Sequence, residues 1–216
     1  MATGEIFGWL GACVGVILGL PQLLRLMRTR NIDGLSLMSW RLIIAMNIAW
    51  TAHGIRLGEA NMITTNSLQM ACSVPIAVLL SRAERLRPVI VLGTSVGLAA
   101  LMIGVDQMLG SAMFGVFSIV VAVVSGVGQS VQLVRAPHVN GVSTLFAVLA
   151  VVNQVMWVLW GLVVRDTGTV LTSSTMGVMT VFNLVWYVLR RLGLRAFFAD
   201  EPATELSERE PATAQA

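Results

Sequence analysis

The stretch GLPQLLRLMRTRNIDGLS, from Gly19 to Ser36, and its partial copy GVGQSVQLVRAPHVNGVS, from Gly126 to Ser143, decide the fold. Each stretch leaves an apolar run, carries a glutamine, reaches an arginine and ends on a Gly-x-Ser triplet. A shift of 107 residues aligns the two halves without a gap, and the register continues to a shared W-x-x-aromatic-G that places Trp50 on Trp157. An internal duplication of this kind predicts two copies of one structural unit.

Composition indicates where those units lie. The chain has 216 residues, of which 56 % are hydrophobic and only 12 % are charged, which is too apolar for a soluble domain. Crossing a bilayer core takes roughly 20 apolar residues per helix. The sequence therefore predicts an all-α membrane protein with seven transmembrane helices, at about 5–27, 37–57, 62–81, 88–105, 112–134, 142–164 and 169–189.

Duplication and span count together predict a 3+1+3 plan. Residues 1–87 form the first three-helix repeat, 88–108 a linker helix, and 109–192 the second repeat. Three spans is an odd number, so one extra helix is needed to give both repeats the same orientation, and the repeats become parallel about an axis along the membrane normal. Residues 193–216 are rich in Glu, Pro, Ala and Thr, and we expect a disordered tail.

Arginine placement predicts the orientation. Most arginines follow spans one, three, five and seven, whereas Arg56 and Arg165 lie on the other side. Cytoplasmic loops carry the excess of basic residues, so the N-terminus is expected outside and the tail in the cytoplasm. Short loops and basic residues that are all arginine suggest a bacterial cell (inner) membrane.

Two motifs carry a family resemblance. Pro21-Gln22 near the end of the first span, followed by a basic loop with Asp33-Gly34-Leu35-Ser36, resembles the PQ-loop (MtN3/saliva-like) superfamily. The W-x-x-aromatic-G of span two, with Asn66 16 residues after Trp50, resembles the SWEET and SemiSWEET sugar transporters. The resemblance covers nearly all of the chain except the tail, and it implies a substrate pocket containing Trp50, Trp157 and Asn66.

Depth along the helices supports the same pocket. At about 1.5 Å per residue, Trp50 and Asn66 each lie roughly 10–14 Å from the turn between spans two and three, near the membrane midplane. Trp157 and Ser173 occupy the equivalent positions of the second repeat, where the family would have a second asparagine instead of Ser173. An indole matches the C–H face of a sugar, and an amide both donates to and accepts from its hydroxyls.

Further polar residues are candidates beside this pocket. Asn153 precedes Trp157 by one helical turn, Asn47 precedes Trp50, and either could supply an amide. The alternative for any single one is that it only joins helices inside the membrane. Gln69, Gln154 and Asn183 are assigned that structural role.

A hinge is predicted where the quoted stretch begins. Proline inside a helix removes a backbone hydrogen bond and bends the helix. Pro21 and Gln22 are therefore the candidate gate of the first repeat, with Gly128 and Gln129 in the equivalent positions of the second.

Ionisable residues decide between mechanisms. Proton-coupled transporters usually carry an acid or histidine within the membrane. Here Asp106 and Asp166 are expected near outer ends, and His53 is the one titratable candidate at some depth. The sequence thus predicts a uniporter that moves a mono- or disaccharide by alternating-access facilitated diffusion. A proton-coupled PQ-loop amino-acid transporter and a non-transporting membrane scaffold remain the alternatives.

Other classes find no motif. The sequence has no P-loop, no H-E-x-x-H and no metal-spaced His or Cys cluster, so we expect no enzyme, cofactor or metal. The expected partners are a small solute and the lipid bilayer, without nucleic acid. Two repeats in one chain complete a pore, and a homo-oligomer stays open.

Overall fold

The computed structural model describes residues 2–29, 32, 35–135 and 144–194, and helices make up most of them. The helices are α1 (Ala2–Thr29), α2 (Leu37–Leu57), α3 (Ala60–Ala83), α4 (Pro88–Arg135), α5 (Thr144–Val164) and α6 (Thr167–Arg191). Within the described residues, five are long and apolar enough to cross a membrane. The exception is α2, which carries Arg41, His53 and Arg56. The prediction of an all-α membrane protein is confirmed.

Helix α4 is two helical segments joined at one residue. Gly110 has φ 81° and ψ 177°, a conformation outside the helical region that glycine adopts without a steric penalty. Val91 packs in a core with Leu26 near the end of α1, whereas Leu133 packs with Tyr187 near the end of α6. The chain therefore reverses at Gly110, and segments 88–109 and 111–135 correspond to the predicted linker helix and fifth span.

The helices alternate in direction and give the bundle two unlike ends. The turn end contains Gly58, Gly110 and Arg165, where the chain reverses between helices. Gly58 stops α2 in the left-handed conformation at φ 75°, and its N–H caps the carbonyls of Gly54 and Ile55. The opposite end, called the arginine end, carries most of the basic residues of the described helices: Arg28, Arg82, Arg85, Arg87, Arg135, Arg190 and Arg191.

Large apolar side chains cover the outside of the bundle. Val178 is 72 % exposed and Val120 is 59 % exposed, although both lie in the middle of long helices. Such surfaces suit lipid tails rather than water. The chain is a multi-pass membrane protein.

The buried core differs between the two ends. One cluster joins both repeats and is centred on Trp50, Met62, Phe114, Trp157 and Trp160. Two others lie toward the arginine end, and each stays on its own side of the bundle: one is built on α1, α2, α3 and the first segment of α4, the other on Leu133 and Tyr187. The two halves are thus packed together toward the turn end and apart toward the arginine end.

Helix α1 shows the same change along its length. A Cβ on Gly4 would lie 2.9 Å from Val163, and one on Gly11 would lie 3.2 Å from the Trp157 ring. On Gly19, closer to the arginine end, a Cβ would meet no other described atom within 4 Å. Helix α1 therefore contacts α5 closely near the turn end and diverges from it farther along.

Candidate functional site

A cavity of about 260 Å³ lies between the two repeats. Helices α2, α3, α5 and α6 and the second segment of α4 contribute its walls. Its lining combines apolar and uncharged polar side chains: Ile43, Met46, Asn47, Trp50, Met62, Thr65, Asn66, Gln69, Ala122, Ser125, Asn153, Gln154, Trp157, Thr169, Thr172, Ser173 and Met176. None of these described residues is ionisable at neutral pH.

The structure brings all six predicted binding residues to this one cavity: Trp50, Asn66, Trp157, Ser173, Asn153 and Asn47. Trp50 and Trp157 are 8 % and 9 % exposed, so neither indole faces lipid. Trp50 packs edge-on against Phe114, with ring centroids 4.7 Å apart, and Trp157 packs edge-on against Trp160 at 5.6 Å. Each indole is therefore held by an aromatic neighbour while it borders the cavity.

Hydrogen bonds fix the three asparagines. Asn66 donates to the Met62 carbonyl in its own helix at 2.9 Å, and Asn153 donates to the Gly11 carbonyl of α1 at 2.8 Å. Asn47 donates to the Ser73 hydroxyl at 3.4 Å. Among the described residues, nothing donates to their side-chain oxygens, so each amide is oriented and keeps an acceptor for a bound molecule.

Several cavity residues lay outside the predicted site. Thr65, Thr169 and Thr172 were not proposed, and Gln69 and Gln154 were assigned only to helix packing, but all five line the cavity. The duplication carried a signal for one of them, because Gln154 is 107 residues after Asn47. The Thr169 hydroxyl is buried without a hydrogen-bond partner in the described part of the chain, so it has unused capacity beside the cavity.

The predicted hinge residues lie away from this cavity. Pro21 is exposed within α1, which continues as helix to Thr29. Gly128 lies in the second segment of α4, and a Cβ there would meet no described atom within 4 Å. The side chains of Gln22 and Gln129 lie outside the described part of the structure. The hinge stays a prediction.

A charged cluster is buried between the cavity and the turn end. The His53 ring has Nδ1 2.9 Å from Asp106 Oδ2 and Nε2 3.2 Å from Asp166 Oδ2. Arg56 holds Asp106 with two bonds, of 2.8 and 2.7 Å. The aspartates were expected near outer ends, but the sequence did not show that both are buried around His53, each with 4 % exposure.

Asp166 also begins helix α6. Its carboxylate accepts from the Thr169 backbone N–H at 2.9 Å and from the Ser111 hydroxyl. Burial by itself raises the pKa of this carboxyl, but the hydrogen bonds from His53, Ser111 and Thr169 outweigh burial. They hold the Asp166 pKa far below its usual range, so Asp166 is an anion at physiological pH.

Comparison with known proteins agrees with this architecture. Residues 3–58 match the family model of the PQ loop repeat. The structure is similar to the 3.7 Å structure of a eukaryotic SWEET transporter, with a TM-score of 0.67 and 15 % sequence identity over 88 % of this chain and 100 % of that chain. A search of curated proteins finds no match. The chain therefore contains a PQ-loop repeat at residues 3–58 within a SWEET-type fold, which supports its membership of the PQ-loop family.

Proposed function

We propose that this membrane protein is a transporter that moves a small neutral solute, a mono- or disaccharide, by alternating-access facilitated diffusion. The observation that carries the proposal is the uncharged cavity between the two repeats, bordered by Trp50, Trp157 and three oriented asparagines. The solved SWEET transporter gives the fold on which the proposal rests.

The lining favours a neutral solute over an amino acid. A zwitterion brings an ammonium and a carboxylate, and both lose solvation when they enter a cavity without opposite charges. All described lining residues of this cavity are uncharged. The charged groups around His53 do not line it, which weighs against the proton-coupled amino-acid alternative.

Shape and chemistry favour a sugar. Small-molecule pockets usually measure about 300–1,000 Å³, and this one measures about 260 Å³, so it suits a solute of one or two rings. Indoles offer flat apolar faces to ring C–H groups. The amides of Asn47, Asn66 and Asn153 offer acceptors to hydroxyl groups.

Core packing supports alternating access. The repeats share a core toward the turn end and have separate cores toward the arginine end. By the arginine distribution, the arginine end is cytoplasmic and the N-terminus lies outside, so this conformation faces the cytoplasm. Bending at Pro21 and Gln22, and at Gly128 and Gln129, is the proposed movement that closes it.

The cavity also weighs against a scaffold that only packs against other membrane proteins. Such a protein has no need of a chamber with oriented amides and buried indoles at its centre. Six cavity-lining residues repeat across the two halves in pairs 107 positions apart: Asn47 with Gln154, Trp50 with Trp157, and Asn66 with Ser173.

Tracer uptake tests the proposal directly. The protein is purified, placed in proteoliposomes and screened with labelled mono- and disaccharides and amino acids. Saturable uptake of a sugar that stops at equal concentrations on both sides is expected. Uptake of amino acids alone, or sugar uptake that accumulates against a gradient when a proton gradient is imposed, would overturn it.

A further inference from the structure

The His53 cluster connects separate parts of the bundle. His53 and Arg56 belong to α2 of the first repeat, Asp106 to the first segment of α4, and Asp166 to the turn between α5 and α6. The His53–Asp166 contact at 3.2 Å therefore joins the two repeats near the turn end. Any movement that opens this end separates Asp166 from His53.

Contact geometry indicates the protonation state of the ring. Both ring nitrogens face carboxylate oxygens, at 2.9 and 3.2 Å, and an ionised carboxylate only accepts. A neutral ring has one donor. Its remaining lone pair could accept from Arg56 Nη2, 3.2 Å from Nδ1, but would then face Asp106 Oδ2 at 2.9 Å. The charged imidazolium satisfies both carboxylates.

Charge balance gives the same answer. Four charged groups meet here from all the elements that contact the ring: His53 and Arg56 from α2, Asp106 from α4 and Asp166 from the α5–α6 turn. With His53 protonated the cluster is neutral, and without that proton it carries one uncompensated negative charge. A buried net charge is costly, so the closed turn end favours the protonated ring.

We propose that His53 is a proton-binding switch: its imidazolium locks the turn end shut through Asp166, and release of the proton favours opening. The inference rests on the proposed alternating access and adds its regulation. A state that binds a proton more tightly gains population as pH falls. Acid at the turn end therefore slows the transition to the conformation that faces outside.

Access to the ring makes this a switch rather than a proton carrier. His53 is 0 % exposed, and it is not among the residues that line the cavity. Phe114 stacks on its ring at 4.7 Å, and Trp50 meets it edge-on at 5.4 Å. The proton thus exchanges on the turn side, when that end opens, and pH changes the rate of transport without net proton movement.

A distance measurement tests the switch without any substrate. Spin labels are placed at Ala60→Cys and Thr167→Cys, two exposed positions that begin α3 and α6 at the turn end, after Cys13→Ala and Cys72→Ala. Between pH 8 and pH 5, the ratio of short to long label distances is expected to rise about tenfold or more, since one linked proton allows up to a factor of ten per pH unit. An unchanged ratio would overturn the proposal.

Variants separate His53 from other titrating groups. His53→Gln should abolish the pH response, whereas the matched control His138→Gln, at the other histidine of the chain, should keep it. Loss of the response in His138→Gln, or its persistence in His53→Gln, would contradict the switch. If His53→Gln does not fold, Asp166→Asn serves, because asparagine also caps helices, and it should move the response to lower pH. An Asp166→Asn response identical to that of the parent protein would likewise overturn it.

A second readout keeps this proposal distinct from the transport proposal. The label distances need no solute, so failure to find a transported sugar leaves the switch testable. If sugar uptake is found, a pH-sensitive dye should show no proton flow linked to it. Stoichiometric proton flow would show that His53 carries protons across, and would overturn the switch.

Discussion

Gly8 of α1 lies directly against Trp160 of α5: a Cβ on Gly8 would be only 2.6 Å from Trp160 Cδ1, and closer still to the Asn61 amide of α3. Trp160 is itself fully buried. Helix α1 therefore fits between α3 and α5 near the turn end only because residue 8 has no side chain, and this close approach joins the two repeats.

Substitution of Gly8 should loosen that junction. Gly8→Ala is expected to destabilise the protein by about 1–3 kcal/mol, the usual cost of forcing extra atoms into a packed core. Thermal unfolding of purified protein in detergent measures the effect. Gly19→Ala is the matched control on the same helix, where nothing described lies within 4 Å, and it should be neutral or stabilising by up to about 1 kcal/mol. Equal effects of the two variants would count against the packing described for the turn end.

Removal of either cavity indole should weaken solute binding. Trp50→Ala and Trp157→Ala are each expected to raise the dissociation constant about tenfold or more, because every 1.4 kcal/mol of lost contact is a factor of ten. Isothermal titration with the solute found in the uptake screen measures this. Trp9→Ala, at an indole that is 44 % exposed and off the cavity, should bind as the parent does. Unaltered affinity in both cavity variants would remove the indoles from the proposed site.

The pair Asn66 and Ser173 should set how many hydroxyl groups are recognised. Asn66→Ala loses hydrogen bonds worth about 0.5–1.5 kcal/mol each, so affinity should fall by roughly 2- to 10-fold. Ser173→Asn restores the symmetric amide and should change the preference among sugars, as competition assays would show. Thr64→Ala, on an exposed part of the same helix, is the control. A Ser173→Asn protein with the same sugar preferences as the parent would show that this position does not select the solute.

Pro21→Ala tests the proposed hinge. Restoring a helix-forming residue removes the break in the backbone hydrogen bonds, so α1 should become stiffer and the protein more stable. Uptake should slow while solute affinity stays the same, because Pro21 is off the cavity. Transport rates equal to those of the parent would argue that α1 does not bend there.

Local sequence patterns were sufficient for the helices and for much of the cavity. Apolar runs of the right length fix the spans, and the 107-residue register carries Trp50 and Asn66 to Trp157 and Ser173. These positions follow from helix geometry, since depth depends only on the number of residues from a turn. For that reason the predicted binding residues meet at one cavity.

The buried charges could not be found in the same way. His53, Asp106 and Asp166 are about fifty residues or more apart, and only the packing of three helices brings them together. Asp166 also has an ordinary local explanation as the cap of α6, which conceals its contact with His53. The sharp reversal at Gly110 was expected only as a link between spans, because a glycine in an apolar run does not reveal its φ.

The uneven division of the core has an energetic consequence. Separation of the repeats at the arginine end leaves both of the smaller cores intact, so that movement exposes little new apolar surface. Separation at the turn end must divide the core that holds Trp50, Phe114 and Trp160, at about 25 cal/mol for each Å² uncovered. The two half-cycles should therefore have unequal barriers, and the empty carrier should rest in the form that is open at its arginine end.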